Sequence, residues 1–145
     1  MIESDTIKLL RECNAGVKMG VQSIQEAIPS VESQYLRDLL ETNMEAHNRL
    51  GDEARELLNR YDDSGKEPNP MAKGMSWMMT NVKLAMNPGD GTVANLITDG
   101  CNMGVKSLSK YLNQYAAASE EAKDVTKRLI RLEETLSVDV RGFLS

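Results

Sequence analysis

The chain has 145 residues, of which 41% are apolar and only 4% aromatic, and it carries a net charge of −5. That length fits one domain with a real core, and a core short of aromatics suits helix-on-helix packing better than a β-sandwich. The acidic balance excludes the electrostatic footprint of a nucleic-acid binder and argues against docking on an anionic membrane surface.

No stretch approaches the roughly 20 apolar residues of a membrane span. The start, Met1-Ile2-Glu3-Ser4-Asp5, is acidic and polar and does not read as a signal peptide. A cytoplasmic location is therefore expected. In that reducing setting Cys13 and Cys101 are expected to be free thiols.

A first helix is predicted from about Thr6 to Ile28, capped by Ser4 or Asp5. Its apolar stripe is Ile7, Leu10, Val17, Val21, Ile24 and Ile28, and Pro29 stops it. Ser30 is then placed to cap a second helix, about Val31 to Tyr61. Leu36, Leu40, Asn43, His47, Leu50, Ala54, Leu57 and Tyr61 alternate four and three residues apart. That is a heptad seam with two polar members in its middle. Gly65, Pro68 and Pro70 mark a linker. A shorter helix follows, Met71 to Met86, with Met71, Met75, Met78, Met79 and Met86 on one face. Pro88-Gly89-Asp90-Gly91 is a turn. A third long helix is predicted from about Thr92 to Tyr115. Ser119 and Glu120 suit the start of a fourth, about Glu120 to Phe143. Its seam, Ala122, Thr126, Leu129, Glu133, Leu136, Val140 and Phe143, again steps four and three.

The chain also repeats itself. Cys13-Asn14-Ala15-Gly16-Val17-Lys18 returns 88 residues later as Cys101-Asn102-Met103-Gly104-Val105-Lys106, with five of six positions matching. At a shift of 86, Ser33 falls on Ser119, Asp38 on Asp124, Arg55 on Arg141 and His47 on Glu133. This reads as duplication of one helical hairpin. Neither hairpin can bury its apolar stripe alone, so the expected fold is an all-α four-helix bundle. Hairpin 1 spans about 5–62, a crossover about 63–91 and hairpin 2 about 92–145. Helices of that length are roughly 36–42 Å long, and the crossover can travel such a distance with its own short helix. The second and third long helices would then run parallel.

Two long hairpins joined in this way resemble the ferritin-like bundles. More narrowly, Lys73-Gly74-Met75-Ser76-Trp77-Met78-Met79 followed by Lys83-Leu84-Ala85-Met86 resembles the crossover of a poorly characterised bacterial ferritin-like family. The resemblance covers most of the chain and implies a fold, with little about activity.

Ferritin-like di-iron proteins take one Glu from each of two helices and a Glu-x-x-His from each of the other two. This chain departs from that set. His47 is the only histidine, and Met44 stands three residues before it. Glu133 has Ile130 in the corresponding place, and the first and third helices offer the neutral amides Asn14 and Asn102. The glycine pairs Gly16/Gly20 and Gly100/Gly104 would let those two helices approach and close the space a metal pair needs. Counted from their hairpin turns, Asn14, His47, Asn102 and Glu133 come near one level, with Asn43 a turn away. The expectation is a buried hydrogen-bonded layer centred on His47 and Glu133 that fixes helix register. The competing reading makes His47 and Glu133 ligands of a reduced metal site for iron, manganese or zinc; otherwise no cofactor is expected.

Two further features have plain explanations beside functional ones. The Met face of residues 71–86 is adaptable core filling or a sticky surface for self-association before it is a site for soft Cu(I). Cys13 and Cys101 are inert buried thiols, or else a redox pair meeting near the pseudo-twofold axis. No nucleophile–base pairing, phosphate loop or cysteine metal cluster stands out. The residues favour a non-catalytic bundle for binding or assembly, with no membrane span and with a homo-oligomer as one form it can take.

Overall fold

A computed structural model describes residues 2–61 and 88–145. The predicted connector helix, its Met face and the linker before it lie outside the described residues. Four helices make up the described chain: α1 (Ile2–Ala27), α2 (Gln34–Asn59), α3 (Asp90–Gln114) and α4 (Glu120–Asp139). Short 3₁₀ turns follow α1 (Ile28–Ser30) and α4 (Arg141–Phe143), and no strand occurs among the described residues. None of these helices is long and apolar enough to cross a membrane.

The helix boundaries follow local chemistry, with two corrections to the sequence reading. Helix α1 starts before Ser4 and Asp5, whose expected capping role therefore fails; acidic Glu3 and Asp5 sit in its first turn, where they favour the helix dipole. Pro29 does end α1, but through a 3₁₀ turn, so the cap of α2 falls on Ser33 and not on Ser30. The Ser33 hydroxyl accepts the Leu36 N–H. Ser119, 86 residues on, does the same for the Ala122 N–H at the start of α4.

Helices α1 and α2 form one antiparallel hairpin, and α3 and α4 the other. Helix α2 packs on α4, and α1 packs on both α3 and α4. Helix α1 thus has three neighbours, with α1 and α4 on the short diagonal of the cross-section. The turns fix the directions. At the α1–α2 turn, the Asp90 carboxylate accepts the N–H groups of Glu32 and Ser33 at 2.7 and 3.1 Å. At the α3–α4 turn, Thr6 Oγ1 accepts the Ser119 N–H at 2.8 Å and Asp5 accepts that of Ala117 at 3.1 Å. The start of α3 therefore stands at the first turn and the start of α1 at the second. It follows that α2 and α3 point the same way, which requires a crossover between them.

The core is aliphatic and falls into two clusters. One gathers Leu9, Leu10, Leu58 and Leu129 near the α3–α4 turn. The other gathers Ile24, Leu36, Leu40 and Val140 near the α1–α2 turn. On the surface, Arg128 ties α4 to α2 with two bonds of 2.8 Å to the Glu53 carboxylate and is held within α4 by one of 2.9 Å to Asp124. The Arg128 guanidinium holds the Glu53 carboxyl below its ordinary value. The resulting stability is present above the unfolded carboxyl's pKa and is lost as pH falls through the lower folded one. Both side chains are more than a third exposed, so Glu53→Gln is expected to cost under about 1 kcal/mol at pH 7. A urea titration at pH 7 and again below pH 4 checks it: the difference between the two proteins should shrink in acid.

Candidate functional site

The two apolar clusters are separated by a polar pair. His47 of α2 is fully buried and Glu133 of α4 is 7% exposed. Their Nε2 and Oε1 atoms are 2.8 Å apart. On its other side the imidazole is pinned by its own helix, with Nδ1 3.0 Å from the Asn43 carbonyl oxygen. A carbonyl can only accept, so Nδ1 carries a proton and donates it. The short Nε2–Oε1 contact then holds one further proton. The pair is an imidazolium with a carboxylate, or an imidazole with a carboxylic acid, and either form has no net charge. This lets two ionisable groups sit in the core without an uncompensated charge.

Glycines make the room. A Cβ on Gly20 of α1 would lie 2.9 Å from two imidazole atoms and 3.4 Å from Glu133 Oε1. A Cβ on Gly104 of α3 would meet the Glu133 carboxyl at 3.6 Å. Each polar side chain thus rests on a glycine of its own hairpin.

Cys101 completes the cluster. Its thiol is buried beside Glu133, and burial first, then the nearby carboxylate, pushes the thiol far up. Sequence reasoning missed this contact, although Cys101 stands three residues before Gly104 and so shares its helix face. Cys13 lies elsewhere. Burial pushes its thiol up to about 12, against weaker opposing pulls from Thr126, which shares a hydrogen bond with it, and Arg128. Thr126 and Glu133 are seven residues apart on α4, about 10 Å along the axis. The two thiols belong to different core clusters, so the redox pair does not form. Both are expected to resist a thiol reagent at pH 8 in the folded protein and to react at once in denaturant. Fast labelling of either without unfolding would contradict the burial.

The other predicted members of the layer are not brought to it. Asn14 is fully buried, but it lies six residues, about 9 Å, before the Gly20 that faces His47. Neither of its amide atoms has a hydrogen-bond partner. Asn102 is exposed. Asn43 joins through its backbone carbonyl, and its buried side-chain oxygen is unpaired. The amide of Asn14 therefore carries the cost of desolvation with nothing returned. Asn14→Leu is expected to raise the unfolding free energy by about 1–3 kcal/mol, read from the urea midpoint.

The residues at this level do not fit a di-metal centre. His47 and Glu133 are two side chains, where a di-metal set takes one Glu from each of two helices and a Glu-x-x-His from each of the other two. Among the described residues no group of three or more His, Cys, Asp or Glu side chains is arranged to hold a metal ion.

Compared with models of protein families, with curated proteins and with solved structures, the chain finds no match in any of the three.

Proposed function

We propose that this protein is a non-catalytic, ferritin-like bundle built from a duplicated helical hairpin, serving in binding or assembly in a bacterial cytoplasm. The observation that carries this reading is the 2.8 Å contact between His47 and Glu133 over the Gly20 backbone. At the level where a ferritin-like protein would bind metal, the side chains satisfy each other. The common direction of α2 and α3 supports the ferritin-like part of the reading. The serine caps 86 residues apart support the duplication.

Self-association belongs to the same proposal. Helix α3 presents Met103 at 66% exposure, and a Cβ on Gly100, three residues before it, would meet nothing within 4 Å.

The test is the metal content of protein purified without chelator, measured by plasma mass spectrometry, with His47→Ala as control. The expected result is no stoichiometric iron, manganese or zinc in either sample. Near-stoichiometric metal that disappears in the control would replace this reading with the alternative, a metal-binding bundle whose reduced site is His47 and Glu133.

A further inference from the structure

We infer that the His47–Glu133 pair is a register lock that prevents one hairpin from docking on the other a helical turn out of place. The seams of α2 and α4 both step four and three residues. A slide of one turn, about 5.4 Å, therefore brings seam positions back onto seam positions. Leucines, valines and alanines meet other apolar side chains after such a slide, and the apolar core alone discriminates weakly against it.

The polar pair discriminates strongly. A slide one way places His47 opposite Leu136 and Glu133 opposite Leu50. A slide the other way places His47 opposite Leu129 and Glu133 opposite Asn43. Neither side chain can avoid this by leaning away. His47 is fixed to the Asn43 carbonyl and rests on Gly20, both in its own hairpin. Glu133 rests on Gly104 in the other. Each glycine floor travels with its hairpin, so a slide leaves at least the imidazole facing hydrocarbon. The ion pairs between the hairpins on the surface, such as Arg60–Glu121 at 3.1 Å, are exposed, and water can replace them.

Asp5 of the first hairpin accepts the Ala117 N–H of the second at 3.1 Å on an exposed part of the interface, and this pair of positions reports the register. In the paired substitution Asp5→Cys/Ala117→Cys, oxidation by dissolved oxygen with a copper–phenanthroline catalyst is expected to join the two introduced thiols almost completely. The crosslink is identified by peptide mass. The same paired substitution is then placed in His47→Leu/Glu133→Leu. The double replacement is expected to keep its helical circular dichroism, to lose half or more of that disulfide, and to show a second set of core amide resonances. Unchanged disulfide yield with one set of resonances would overturn the inference. So would loss of the helical signal, because the pair would then be needed for folding itself and not for the choice of register.

Discussion

Replacing His47 alone with Leu is expected to cost about 3–5 kcal/mol of folding free energy. The cost arises from what is left behind. Glu133 is 7% exposed and its Oε1 faces the imidazole at 2.8 Å, so removing the ring strands a buried carboxyl against leucine. A protein of this size has roughly 5–15 kcal/mol to lose, so the variant should unfold at a much lower urea concentration. Glu133→Leu should be comparably harmful, because Nε2 then has no partner. The two replacements together should cost less than either alone, because no orphan remains. A double-mutant cycle in urea reads all three values. Additive losses would mean that the two side chains do not act as a pair.

Gly20→Ala should cost about 1–3 kcal/mol although it adds one methyl group. That carbon would sit 2.9 Å from two ring atoms of His47, and the ring is held on both sides and has nowhere to go. Gly16 on the same helix is the control. Its added carbon meets Leu129 and Leu108 at 3.7 and 3.8 Å, which is ordinary contact. There the better helix propensity of alanine should show as a gain of up to about 1 kcal/mol. Thermal or urea unfolding of the two variants should therefore move in opposite directions. If both destabilised alike, the close approach at Gly20 would have no special role.

The sequence carried the four helices through their periodicity and the His47–Glu133 contact through the 86-residue register. Heptad seams and cap residues are local signals, and they survive without any knowledge of neighbours. The level of Asn14 did not survive. Counting from Pro29 placed it opposite His47, but the chain continues through a 3₁₀ turn and reaches its cap only at Ser33. The close approaches of Gly20 to His47 and of Val17 to Gly51 centre the hairpin near residues 33 and 34, so the level of His47 on α1 is that of Gly20. Asn102 failed for a different reason. Gly20 and Gly104 face the equivalent residues His47 and Glu133 and are 84 residues apart, so motif copies that are 88 apart stand about one helical turn out of step. Matching residues in a repeat share a level only when the two hairpins close in the same register. That register is a tertiary property.

Each hairpin's turn is closed by a residue from the other: Asp90 holds Glu32 and Ser33, while Thr6 and Asp5 hold Ser119 and Ala117. Neither half can therefore complete its own bend in isolation, and the chain gains its last local hydrogen bonds only when distant segments meet. Amide protons at both bends should exchange with solvent at closely similar rates, set by one shared opening event, even though they sit at opposite ends of the molecule.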